Sequence, residues 1–409
     1  MRPRSIPAWT IALCLAATTA SAQSQHEHQH HHGGAPARCG EPTLACASAA
    51  TPFLASDGTL WLAWVAGGRV AVARSHDGGQ TFDPAVMINA AAEPVDTGPD
   101  ARPRVVVDRS GRVFVSYAVF KDKAYNATAL FAQSTDGGKS FGAAQPLTDD
   151  PASQRFETLA IDPDGRLFAA WIDKRDAVAA HAKGETYVGA ALAFAWLDPD
   201  GKRFTAARIA QDQSCECCRL GVGFAGPGRP VVLFRNVFDG GVRDHAITTF
   251  ADPRTPGPVY RVSVDDWHLD VCPHQGPSLA IGPDGVYHAT WFTEGDARQG
   301  VFYARSTDGG RSFSTPMPIG AADRRPSRPY VLTVRGAVWL AWKEFDGERT
   351  TVDVMVSRDG GVDWSAPAVA ARTDDASDHP LLVSDGHRAL LSWLTAREGY
   401  RLMPLEDRP

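Results

Sequence analysis

An eight-residue pattern recurs four times along the chain and narrows the available folds more than any other feature. It reads Ser75-His76-Asp77-Gly78-Gly79-Gln80-Thr81-Phe82, Ser134-Thr135-Asp136-Gly137-Gly138-Lys139-Ser140-Phe141 and Ser306-Thr307-Asp308-Gly309-Gly310-Arg311-Ser312-Phe313. A looser copy is Ser357-Arg358-Asp359-Gly360-Gly361-Val362-Asp363-Trp364. The carboxylates of Asp77, Asp136, Asp308 and Asp359 can each accept hydrogen bonds from nearby backbone N–H groups. The Gly pair supplies positive φ where a side chain would clash. The closing aromatic then plugs the turn onto the sheet beneath it. One such turn is a weak signal; four in register with apolar runs define an architecture.

A longer repeat surrounds these turns. It runs as an apolar strand, a turn with Asp-Gly or similar, then a strand ending in an aromatic. The copies are Pro52 to Trp64, Pro103 to Tyr117, Glu157 to Trp171, Leu220 to Phe234, Pro277 to Trp291, Pro329 to Trp342 and Pro380 to Trp393. Successive closing aromatics are 53, 54, 63, 57, 51 and 51 residues apart, a spacing suited to propeller blades. Strand alternation is visible within a copy: Val113, Val115 and Tyr117 face one side, Phe114 and Ser116 the other. Each unit therefore reads as four strands, the repeated turn joining the third to the fourth. The recurring tryptophans are read as blade core, not as platforms for sugar stacking. The expected fold is an all-β propeller of four-stranded blades, seven by this count with six as the alternative. In the last unit the chain ends after a third strand. Pro42–Ala47 is the expected donor of the missing outer strand, because a ring must close to hide its edges.

The four turns resemble the Asp-box (BNR) repeat of the sialidase superfamily, whose members are β-propellers; its sialidases are six-bladed. The resemblance implies three arginines on a substrate carboxylate and a Tyr nucleophile assisted by a Glu. The matching candidates are Arg155, Arg219 and Arg328 with Tyr330 and Glu157. The family's Phe-Arg-Ile-Pro motif is absent, and Thr51-Pro52-Phe53 stands in its place. The fold is implied and the activity is not. Cys-x-Cys-Cys at Cys215, Cys217 and Cys218, with Cys272-Pro273-His274-Gln275-Gly276-Pro277, resembles a subgroup of bacterial secreted sialidase-like propellers.

Blade phase also locates a candidate site from the residues alone. Positions just before the innermost strands converge on the central channel, and they carry Arg102, Arg155, Arg219, His274, Arg328 and His379. Such a positive funnel would focus an anionic ligand or partner, and a guanidinium can grip a carboxylate through two parallel bonds. The competing reading pairs each arginine with an aspartate such as Asp100 or Asp378. The chain's formal charge of −6 gives no reason to expect nucleic acid.

The first 22 residues read as a secretory signal: basic Met1-Arg2-Pro3-Arg4, an apolar core from Trp9 to Ala17, and Ala20-Ser21-Ala22 for cleavage. The mature chain is then periplasmic or secreted, a monomer with no membrane span. Residues 23–38 read as a disordered leader in which His26, His28, His30, His31 and His32 can wrap copper or zinc; an inert tail is the alternative. Residues 39–409 read as one propeller domain. Setting Cys14 aside leaves an even number of cysteines, which favours disulfides in an oxidising compartment. Cys39 and Cys46 most simply pair with each other. Cys272 either bonds Cys217 or Cys218 across adjacent blades, or joins thiolates and His274 in a soft-metal site. Three functions remain: an anion-binding propeller with a metal-binding leader, an exo-sialidase-type glycosidase, or an interaction scaffold.

Overall fold

The computed structural model describes residues 39–98, 100–198, 201–216, 218–269 and 273–405, which lie in seven antiparallel sheets and the loops between them. They all belong to one compact unit, His32–Pro409. The expected signal peptide, the His-rich leader, Cys217 and Cys272 lie outside the described residues. Each sheet is a meander of sequence-adjacent strands, six with four strands and one with three. The innermost strands are Ala50–Leu54, Arg104–Val107, Gln154–Ile161, Gly221–Phe224, Ser278–Ile281, Ser327–Val334 and Leu381–Ser384. They fall where the repeat placed the first strand of each unit. The molecule is a seven-bladed β-propeller, its blades numbered here 1 to 7 in chain order. Antiparallel meandering puts the first-to-second and third-to-fourth connections on one face, the turn face. The remaining connections lie on the opposite loop face.

Blades pack through the side chains that alternate out of their sheets. Trp64, Trp171, Trp291, Trp342 and Trp393 are all buried, as a blade core requires. Their indole N–H groups are satisfied as well: Trp171 by Asp173 at 2.9 Å, Trp291 by Asp265 at 2.8 Å, Trp342 by Glu344 at 2.9 Å. Such pairing is what allows a ring with one polar atom to be buried whole.

The repeated octapeptides form the third-to-fourth turns of blades 1, 2, 5 and 6. In blade 2, Asp136 accepts from Ser134 Oγ at 2.7 Å, the Ser140 N–H at 3.0 Å and Ser140 Oγ at 2.6 Å. Ser134 Oγ in turn accepts the Gly138 N–H at 2.9 Å. Gly138 has φ +79°, and a Cβ there would stand 2.5 Å from the Trp61 ring of blade 1. Each turn is thus a wedge against the blade before it. The closing aromatics complete the contact: Phe82 meets Tyr400 edge-on at 5.8 Å and Trp364 meets Tyr303 at 4.9 Å.

Two features depart from the sequence reading. Blade 3 carries an α-helix, Arg175–Ala182, between its second and third strands. Pro42–Ala47 supplies no outer strand to blade 7, which has three strands among the described residues. The Cys39–Cys46 disulfide explains why: it holds two Cα atoms seven residues apart at 5.2 Å, whereas an extended run of that length spans about 23 Å. The segment turns instead through a short 3₁₀ helix, Leu44–Cys46. The ring is closed by side chains. Cys46, Ala47 and Ala50 pack with Leu394 of blade 7, and the Ala50 N–H donates to Asp378 at 3.0 Å.

Candidate ligand site at the centre of the loop face

The sequence-predicted cations do converge, although each comes with a partner. Arg102 is buried and donates to Asp378 at 2.5 Å and to the Ala50 carbonyl at 3.2 Å, which ties blade 2 to blades 7 and 1. Arg219 meets Asp100 at 3.0 Å, the Pro329 carbonyl at 2.9 Å and His379 Nδ1 at 3.3 Å. Arg328 lies 3.7 Å from Asp100 and donates to the His274 carbonyl. Arg155 sits further out, on both oxygens of Asp96 at 2.6 and 3.1 Å. It is held between the rings of Phe120 and Phe156. The His274 ring packs beside Phe156, with ring centres 6.0 Å apart.

Asp100 organises this layer. It is wholly buried and also accepts the Gly276 N–H at 2.6 Å. Gly276 is required there, because a Cβ would stand 2.4 Å from Arg219 Cγ and 2.6 Å from its backbone. That close approach gives the Cys-Pro-x-x-Gly-Pro stretch a local structural role independent of its cysteine. Cys215 and Cys218 are buried, and Arg243 donates to Cys215 Sγ at 3.4 Å. Among the described residues no group of three or more His, Cys, Asp or Glu is arranged to hold a metal.

One guanidinium that sequence reasoning missed stands apart. Arg104 begins the innermost strand of blade 2 and, among the described residues, makes no ion pair and has a buried Nε without a hydrogen-bond partner. Burial and the neighbouring Arg102 lower its affinity for a proton, to about 10, so it stays charged at neutral pH. A signal for it was present, since residues two apart on an extended strand share a side and Arg102-Pro103-Arg104 presents such a pair.

Backbone irregularity marks the same place. The innermost strands of blades 3 and 6 each bulge near their start, with Phe156 at φ +55° and Arg328 at φ +57°. Bulges re-aim side chains, and strained backbone concentrates at functional sites. The groups delivered here are Glu157 and Tyr330. Glu157 is buried, and burial pushes its carboxyl up to about 8 despite the opposing pull of its own backbone N–H, Arg104 and Arg155. Among the described residues it makes no hydrogen bond to Tyr330, and both favour the charged form of Arg104 electrostatically. His379 is held far below the usual imidazole range by burial and by Arg328, Arg102 and Arg219. It is therefore neutral, and because Arg219 donates to Nδ1, the proton sits on Nε2, which is buried without a partner.

A cavity of about 530 Å³ runs along the channel below this layer. Arg102, Arg104, Arg219 and Tyr330 line its inner end, and Ser56 and Asp108 its turn-face end. Its charged lining comprises Arg102, Arg104, Arg109 and Arg219 against Asp108. The centre is therefore cationic in an acidic chain.

No protein-family model and no curated protein matches the chain. Solved structures do. A PL25 ulvan lyase aligns with TM-score 0.56 at 10% identity over 86% of this chain and 90% of that one. Its structure bound to GlcA(1-4)Rha3S aligns at 0.55, also at 10% identity and over the same shares of both chains. The Hadza microbial sialidase Hz136 aligns at 0.51 and 14% identity over 85% of this chain and 76% of that one. At these identities the likeness is one of fold: this chain shares the propeller architecture of known glycoside hydrolases and polysaccharide lyases.

Proposed function

We propose that this chain is an exported, carbohydrate-directed propeller that binds an anionic saccharide at the hub of its blades and is not a standard sialidase. Arg104 carries the reading: it is a half-buried cation at the inner end of a ligand-sized cavity, with no ion pair among the described residues. The unpartnered His379 Nε2–H and Arg104 Nε–H add donors, and buried donors are seldom left unpaired without a ligand or water. The cavity falls in the usual range for small-molecule sites. The solved structures of like fold, a lyase bound to a GlcA-containing saccharide among them, support a sugar as the ligand. Calorimetry with N-acetylneuraminate and glucuronate against glucose tests it. Acidic sugars are expected to bind, glucose not, and Arg104→Gln to abolish binding; an unaltered Arg104→Gln isotherm contradicts the reading.

A sialidase-type hydrolase is the second reading, favoured by the electrostatic coupling of Glu157 and Tyr330 to Arg104. Against it, Arg155 and Arg219 already grip Asp96 and Asp100, and a phenol needs an adjacent ionised carboxylate to become nucleophilic near neutral pH. Turnover of a fluorogenic sialoside that is lost in Arg219→Ala and Tyr330→Phe would establish this second reading over the first. The His26–His32 leader is proposed to bind copper or zinc. Titration of the mature chain against one starting at Arg38 tests this, and equal copper stoichiometry in the two would remove the role.

A further inference from the structure

We infer that the hub channel is a one-ended sleeve, entered from the turn face, that takes an acidic sugar carrying an apolar aglycone. This rests on the proposed anion site and names the class of ligand for it. Among the described residues, Arg219 closes the loop-face end. From just before the innermost strand of blade 4 its guanidinium donates to Asp100 at 3.0 Å and to the Pro277 and Pro329 carbonyls at 3.2 and 2.9 Å, and it meets His379 at 3.3 Å. Those groups belong to blades 2, 5, 6 and 7, so one side chain bridges the axis. Arg102 extends the plate to blades 7 and 1 through Asp378 and the Ala50 carbonyl. Arg102, Arg219, Asp100, Asp378 and His379 are each at most 6% exposed. Groups in hydrogen-bond contact across the axis leave no passage for a sugar between them.

The other end is open. The innermost strands run from this plate to the turn face, and exposure rises along them. Val105, Leu159 and Leu220 are buried, whereas Val107, Ile161 and Val222, two residues further on, are half-buried. Ser56 and Arg109, at the turn-face end of the cavity, are exposed. Between mouth and plate the wall is aliphatic on five blades, through Val105, Leu159, Leu220, Leu279 and Leu381. Arg104 stands at the inner end of that wall. A ligand that reaches it from the turn face must lead with its anionic group and trail through the apolar sleeve. An apolar substituent placed there leaves water for an aliphatic surface, which favours binding. Glucuronate alone leaves the sleeve unfilled, and a phenyl glucuronide occupies it.

Calorimetry with phenyl β-D-glucuronide against glucuronate reads the sleeve. The phenyl glucuronide is expected to bind more tightly by about tenfold or more. Equal affinities overturn the sleeve while leaving the anion site standing. The entrance is read by blocking it. Ser56→Cys places a thiol at the mouth, and Ala376→Cys places one at an exposed loop-face position two residues before Asp378. Each variant is compared before and after coupling to a bulky maleimide, with wild type treated in parallel. Coupling at the mouth is expected to abolish phenyl glucuronide binding, and coupling on the loop face to leave it unchanged. Any other pattern overturns entry from the turn face. Failure of wild type to bind either sugar overturns the anion site itself, and the sleeve with it.

Discussion

Glu157 is buried and Arg104 half-buried, neither with an ion pair among the described residues, and their stability consequences differ from those of the paired residues around them. The folded protein holds the Glu157 proton up to about 8, against an ordinary value of 4.5. Folding is therefore favoured most below about pH 4.5, and this contribution is lost as pH rises towards 8. Glu157→Gln removes the cost, so its melting temperature is predicted to exceed that of wild type at pH 9 and to match it at pH 4. Equal melting temperatures at pH 9 would mean that Glu157 is solvated. Arg102, Arg219, Arg328 and His379 were legible from the repeat because blade phase alone puts them at the hub. Arg104 was not, because strand ends are uncertain by a few residues and Arg102 two positions earlier had taken its place in the pattern. Pairing of the hub arginines with aspartates such as Asp100 or Asp378 was foreseen as an alternative to an open funnel. Arg155 with Asp96 was not, because that pair joins the start of the innermost strand of blade 3 to a loop 59 residues earlier.

At the scale of the element, the octapeptide turns show how a short pattern can fix long-range structure. Asp77 and Asp308 are held at about 2 by hydrogen bonds from the Thr81 and Ser312 hydroxyls and backbones. Carboxylates lowered in this way stabilise the fold above their ordinary value near 3.8 and lose that contribution as pH falls towards 2. The turns of blades 1 and 5 are thus predicted to open early in an acid titration. Hydrogen exchange at the Thr81 and Ser312 amides should show it, and protection unchanged between pH 5 and pH 2.5 would contradict the account. The glycines bear on the next blade. Gly138→Ala is predicted to destabilise by about 2 kcal/mol or more, because it combines a positive φ with overpacking against Trp61. A melting temperature equal to wild type would refute that contact. The turns were readable because their hydrogen bonds close within the octapeptide. The helix Arg175–Ala182 was not, since its Ala-rich sequence lacks an apolar stripe that would distinguish it from a loop.

Across the described residues, the ring is held shut by a few polar contacts at the hub and by packing between blades 7 and 1, without a shared strand. Asp378 joins blade 7 to the Ala50 N–H and to Arg102. Asp378→Ala leaves a buried guanidinium uncompensated and is predicted to cost about 3–5 kcal/mol, readable by denaturant unfolding; a loss under about 1 kcal/mol would show that closure does not depend on it. Seven blades were countable from aromatic spacing, whereas the closure was not. Local sequence did not reveal that the Cys39–Cys46 bridge would prevent Pro42–Ala47 from extending. The same ring geometry creates the site, by bringing residues from Arg102 to His379 to one hub. The most direct test of that claim is a crystal structure after soaking in glucuronate. The account predicts a carboxylate at the inner end of the channel within hydrogen-bond distance of the Arg104 guanidinium. Sugar bound only on the outer faces of the blades, with Arg104 still unpaired, would contradict it.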